Sequence, residues 1–212
     1  WFGHMITTIV NDFSNLDGEH YGFKIETAPL HPGFKSVVLP YQNAIQFKTD
    51  MQKAAHMAHW IGLVRDKYGG QIKLDRKKKA VVHYILHPYD LKHFKRATKE
   101  IICLLKESGA LKIFHPHNQM NIYDQSEDFD AFVEAHDQLQ WRPCTFNIGS
   151  AHQMGTCRMS GHKTKGVVKP NGQVWGVPNL YVADASLFPS ASGVNPMLSV
   201  QALAYHVGMN MI

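Results

Sequence analysis

The last stretch of the chain sets the sharpest constraint on its fold. From Asn195-Pro196 to the end, apolar residues fall on nearly every side of a helix-forming segment, among them Met197, Leu198, Val200, Leu203 and Val207. A helix without a polar face is stable only where other structure encloses it. The 212 residues, 44% hydrophobic and 18% charged, can supply a good core in one or two domains.

Upstream, residues 21–28 alternate as a strand and lead into Pro29, His31-Pro32-Gly33 and Pro40, which predict a long, proline-punctuated loop. Residues 61–64 predict another strand, Gly69-Gly70 a turn, and residues 71–74 with 80–86 a hairpin, so that an antiparallel sheet is expected here. Pro88 opens a helix in which Leu91, Phe94, Thr98, Ile101, Ile102 and Leu105 keep helical spacing as far as a stop at Gly109, and one face of it should pack on that sheet. Ser126 is placed to cap a second helix with Phe129, Phe132, Val133 and His136 as its buried stripe. After Cys144 the texture changes to glycines and short strand-like pieces at Val167, 174–177 and 180–183. These features predict an α+β chain, an antiparallel sheet covered by helices, with a boundary near residue 147.

The formal charge of +5 is concentrated only at Arg76, Lys77, Lys78 and Lys79, beside Asp75 and between two strand-like runs. That pattern is a solvated hairpin turn. Neither a recognition helix nor an aromatic stacking platform accompanies it, which argues against nucleic acid. The positive excess leaves peripheral association with anionic membranes open. Three cysteines, Cys103, Cys144 and Cys157, lack zinc spacing and the density of a secreted disulfide scaffold, and fit reduced thiols in an intracellular compartment. No apolar run reaches the ~20 residues of a membrane helix. Because the chain opens on Trp1, targeting or membrane segments upstream are left undetermined.

Three segments carry the chemistry: Ser150-Ala-His-Gln-Met-Gly-Thr-Cys-Arg-Met159, Asn179-Leu-Tyr-Val-Ala-Asp-Ala-Ser186 and Gly193-Val-Asn-Pro-Met-Leu-Ser-Val-Gln-Ala-Leu-Ala204. In order, spacing and wording they resemble the C-terminal signature of the glucose-methanol-choline (GMC) oxidoreductases. Within that family the stretch Ile25-Glu-Thr-Ala-Pro-Leu-His-Pro-Gly33, Leu63-Val-Arg-Asp-Lys67 and the Ser150-Ala-His opening look most like the long-chain fatty alcohol oxidases. The resemblance implies a partial substrate-binding domain over 1–147, and over 148–212 the return segment that completes an FAD-binding domain.

It further implies that His152 and Asn195 are the catalytic pair, acting on a small, lipophilic alcohol. An imidazole with an ordinary pKa of ~6.5 has a usable neutral fraction to take the hydroxyl proton, and an amide can hold the alcohol oxygen without competing for that proton. The cofactor contacts it implies are Asp184, Ala185, Asn195, Pro196 and Met197. The helix end at Asn195-Pro196-Met197 would favour negative charge on a reduced flavin by roughly 0.3–2 kcal/mol. Pro196 is expected as the first helical residue, where its missing N–H costs nothing.

Structural alternatives stand beside each assignment. Asn195 can cap its helix, Asp184 can be a turn residue, Cys157 can be packing, and His152 is one of 14 histidines. The pairs His56 with His59 and His115 with His117 invite a metal reading, but no third ligand stands at a usual zinc spacing, so no metal is expected. The G-x-G-x-x-G turn of a dinucleotide site is impossible here, because no two of the 16 glycines are separated by a single residue. The chain is therefore expected to be incomplete, its partner being a missing N-terminal FAD-binding half, with apolar surface on the last helix that this half would cover. A dehydrogenase using another acceptor, a hydroxynitrile-lyase-like relative and a non-catalytic fragment remain the alternatives to an oxidase.

Overall fold

The computed structural model describes residues 8–28 and 31–211, so Trp1, Pro29 and Leu30 lie outside the described residues. The chain is α+β with small antiparallel sheets. It divides into two compact units, one of Trp1–Val64 with Leu91–Gly149 and the other of Arg65–Asp90 with Ser150–Ile212. Residues 65–90, which the sequence grouped with the first domain, thus cluster with the C-terminal residues.

In the first unit β1 (Ile9–Val10), β2 (Phe23–Thr27) and β3 (Trp60–Val64) form an antiparallel sheet in that order, with Phe23 opposite Val64 and Ile25 opposite Gly62. Phe23 and Ile25 point to one face, by the two-residue period of a strand, and are both buried. The long helix (Pro88–Glu107) brings Ala97, Ile101 and Leu104 onto that face. Gly62 permits the approach, since a Cβ there would stand 2.9 Å from Ala97 Cβ. Ile102 and Leu105 of the same helix join a second cluster with Ile113, Tyr123 and Phe132, supplied by the short pair Lys112–Ile113 with Tyr123–Asp124 and by the helix Phe129–Gln138.

Several expectations need correcting. The proline-punctuated loop contains helix α1 (Pro32–Val38): His31 is its N-cap, with Nδ1 accepting from Gly33 N–H at 3.0 Å, so Pro32 opens a helix where a loop was expected. Helix α2 (Ala44–Gln52) follows, capped by Asn43, whose side chain accepts from Gln46 N–H at 2.9 Å. The cap of the helix at 129–138 is Asp128, which accepts from the N–H groups of Asp130 and Ala131. Ser126 instead donates its hydroxyl to Asp124. The hairpin strands Gln71–Leu74 and Ala80–His83 pair only with each other among the described residues, so they do not extend the sheet of β1–β3.

In the second unit the strand-like pieces between 159 and 181 prove to be single bridges, Met159 to Val168, Val168 to Val174 and Gln173 to Tyr181, laced by turns. They enclose Val168, Leu187 and Val207, all fully buried. The last helix, Met197–Met209, contributes Val207 and Leu203 to this cluster, while Met197, Leu198 and Tyr205 remain 67–74% exposed. The enclosure that an all-round apolar helix requires is only partly supplied within this chain. Among the described residues no helix is long and apolar enough to cross a membrane.

Candidate active site

The structure ties the three motif segments together through backbone hydrogen bonds and one core. Gly155, Cys157 and Met159 donate their N–H groups to the carbonyls of Ala185, Ser186 and Leu187 at 3.2, 3.0 and 2.9 Å. The first segment is thereby stitched to the end of the second. Met159, Val182 and Leu203, one residue from each segment, pack on the Val168–Leu187–Val207 cluster. Gly172 makes the junction possible: its φ is +84°, and a Cβ there would overlap both methyls of Val207, 2.8 Å from Cγ1.

His152 lies three residues before Gly155 and is half-buried. The Gln153 side-chain amide donates to Ser150 O, closing a turn around Ala151 and His152. Asn195 is exposed and lies one residue outside the cap of the last helix. That cap is Pro196, buried, with φ −91° and ψ 3°. The helix begins at Met197, one residue later than expected, and its first bond runs from Val200 N–H to Pro196 O at 2.8 Å. The N–H groups of Met197, Leu198 and Ser199 therefore precede the helical ladder, and no acidic residue stands in this first turn. His152 and Asn195 both belong to the second unit.

Asp184 caps the short 3₁₀ turn Ala185–Leu187, its Oδ1 accepting from Ser186 N–H at 2.8 Å. Hydrogen bonds from the Ser186 hydroxyl and then its N–H hold the Asp184 carboxyl below the usual carboxylate range. The turn is closed on itself, with Leu187 N–H donating to Asp184 O at 3.1 Å and the Ala185 carbonyl accepting from Gly155 and Phe188.

The pair His115 and His117 belongs to a hydrogen-bonded histidine core. His115, His117 and His136 surround Trp141, with ring centroids 5.3–6.0 Å from the indole. His115 Nδ1 accepts from His117 N–H and its Nε2 bonds His136 Nδ1, both at 2.9 Å, while His136 Nε2 reaches Lys95 O at 3.2 Å. His117 Nδ1 accepts from Gln119 N–H and its Nε2 meets Gln140 O. Carbonyl oxygens and two backbone donors fix one set of tautomers: every Nδ1 accepts and every Nε2 carries the proton. Each ring nitrogen is thus engaged within the core. Burial, followed by the neighbouring His136 and His117, pushes His115 down to about 3, and burial also lowers His136. His59 is lowered by burial and then by the Lys35 charge. Among the described residues no group of three His, Cys, Asp or Glu side chains is arranged for a metal ion.

The remaining sequence features are local. Cys103, Cys144 and Cys157 are free thiols, and burial pushes that of Cys103 up. At the hairpin tip Asp75 Oδ1 accepts from Lys77 and Lys79 N–H, both at 2.8 Å, so the cationic residues stand on an ordered, exposed turn. Arg65, read from sequence only as part of a motif, donates from Nε to Ala191 O in the loop leading to Asn195.

The GMC oxidoreductase C-terminal family model matches residues 66–204. The chain is 36% identical to long-chain-alcohol oxidase FAO4A of Arabidopsis thaliana over 98% of its own length and 28% of the relative's. It is 30% identical to FAO3 of the same plant over 85% of this chain and 25% of that one. It therefore spans little more than a quarter of the curated relatives it matches. Among solved structures, variants of an Aspergillus oryzae formate oxidase superpose on 93% of this chain and 32% of theirs, with TM-scores of 0.52 and 0.54 at 17% identity, a likeness of fold. GMC oxidoreductases are FAD-binding flavoproteins. The family match across most of the chain, together with three motif segments built on one core, shows that this chain belongs to the GMC oxidoreductase family.

Proposed function

We propose that the full-length protein oxidises primary long-chain alcohols to aldehydes with FAD as cofactor and dioxygen as final acceptor. The observation that carries this reading is the common core of the three segments, which holds the segment bearing His152 and the helix following Asn195 in one unit. The 36% identity to a long-chain-alcohol oxidase favours a lipophilic alcohol over other substrates of the family.

The described residues fit a flavin. The exposed N-terminal end of the last helix, free of acidic residues, suits an anionic ring edge. Asp184, Ala185, Asn195, Pro196 and Met197 would hold it. When bound, FAD supplies the acceptor for the hydride and passes the electron pair to dioxygen, giving hydrogen peroxide. His152 takes the hydroxyl proton as the C–H bond breaks, and the Asn195 amide holds the alcohol oxygen in line for that transfer. The exposed apolar residues of the last helix, Met197, Leu198 and Tyr205, are covered by the N-terminal half that contributes the glycine-rich nucleotide turn. Free thiols and positive charge favour an intracellular site with peripheral membrane association, which cell fractionation of the full-length protein tests.

Anaerobic addition of a long-chain primary alcohol to the FAD-loaded protein should bleach the flavin, and the same mixture in air should accumulate peroxide stoichiometrically with aldehyde. Aldehyde release without bleaching indicates a lyase. Bleaching without peroxide indicates a dehydrogenase with another acceptor.

A further inference from the structure

We propose that Arg65 is a positioning residue for Asn195, an inference that rests on the function proposed above. Its side chain crosses 126 positions of sequence to donate Nε–H to Ala191 O at 3.0 Å. Two residues on, Gly193 adopts φ +66° with its α-carbon against the arginine stem: a Cβ there would stand 2.8 Å from Arg65 Cδ and 3.0 Å from Cγ. One side chain thus fixes the loop twice, in direction through the hydrogen bond and in depth through the packed stem. Between these points Ser192 donates its hydroxyl to Val194 O at 2.7 Å, closing the loop on itself. Asn195 follows at once, and then the buried Pro196 at the cap of the last helix.

The contact requires arginine. Its Nε–H lies in a rigid planar fork partway along the side chain, where lysine has only methylene. A lysine would keep the charge but carry its donor beyond the Ala191 carbonyl. Glycine at 193 is the complementary choice, since only a residue without Cβ admits the stem and tolerates that φ at no cost. Proton and hydride transfer depend on the alcohol oxygen being held to a fraction of an ångström, and a displacement of ~1 Å costs about 10²-fold in rate. A loop carrying the amide that holds that oxygen therefore needs an anchor outside itself, and Arg65 supplies one.

The test uses the full-length, FAD-loaded protein. Arg65→Met, which keeps the stem and removes Nε–H, should slow flavin reduction by a long-chain alcohol about 10- to 100-fold while changing KM less than threefold. Arg65→Lys should lose as much, because the position of the donor matters and the charge does not. It also serves as the second variant should Arg65→Met fail to fold. On an Asn195→Ala background either substitution should add less than a twofold loss. Full multiplication of the two losses, or full rate in Arg65→Lys, overturns the proposal. Amide hydrogen exchange gives an independent reading: Ser192, Gly193, Val194 and Asn195 should exchange at least tenfold faster in Arg65→Met while Val168 and Leu187 do not change, and unaltered exchange at 192–195 overturns the anchor. If Asn195→Ala alone leaves flavin reduction unchanged, the proposed function fails and the catalytic role of Arg65 with it, and exchange then decides the loop contact by itself.

Discussion

Replacing Gly172 by alanine should unseat the helix that follows Asn195. Two costs add at this position. An L-residue at φ +84° is strained by roughly 1–2 kcal/mol. The new methyl would also overlap both Val207 methyls and lie 3.1 Å from Val182 O, and overpacking of a closed core costs about 1–3 kcal/mol. The expected loss is roughly 2–5 kcal/mol in all. Gly176 separates the two terms, because it has φ +77° but nothing within 4 Å of a Cβ, so Gly176→Ala carries the backbone strain alone. Urea denaturation of the two variants should therefore differ by about 1–3 kcal/mol. Val207→Ala placed on the Gly172→Ala background should recover part of that difference by making room. Equal losses in Gly172→Ala and Gly176→Ala, or no recovery with Val207→Ala, would refute the packing of the three segments as described.

The histidine core predicts acid sensitivity. His115 is held down to about 3 in the folded chain against an ordinary 6.5, so the unfolded chain binds the proton first. Its stabilisation is complete above pH 6.5 and is lost as pH falls toward 3. Between pH 7 and 5 this amounts to about 2 kcal/mol from His115 alone, read as a shift in urea midpoint. A His115→Gln variant should show a flatter dependence, and the same slope in both proteins contradicts the assignment. Gly62→Ala should cost about 1–3 kcal/mol by pushing the sheet and the long helix apart at Ala97, which thermal unfolding reads directly. A cost under 0.5 kcal/mol would mean the two elements slide freely.

The parts of the fold that follow a period were legible. Residues 23–27 and 60–64 alternate or run apolar as strands do, the hairpin is bracketed by turn residues, and the 88–107 helix carries two apolar faces. Helices α1 and α2 were not, because their signals are caps at His31 and Asn43, with few buried residues to make a stripe. The pieces between 159 and 181 look like strands residue by residue, yet glycines with positive φ at 172 and 176 turn the chain before any ladder can extend. For the site, the wording of the three segments was readable, and so was the exposure of the last helix's apolar surface. Their shared core was not, since Val168 and Gly172 belong to none of them. The Arg65 contact and the His115–His136 bond join residues too far apart in sequence for spacing to reveal.

If His152 removes the alcohol proton while hydride leaves for the flavin, as proposed, its loss must slow flavin reduction. Stopped-flow reduction of the full-length, FAD-loaded protein by a long-chain alcohol reads that rate. His152→Ala should bind FAD as the parent does and reduce it ~10² to 10⁴ times more slowly. Reduction at the parental rate would remove His152 from the chemistry.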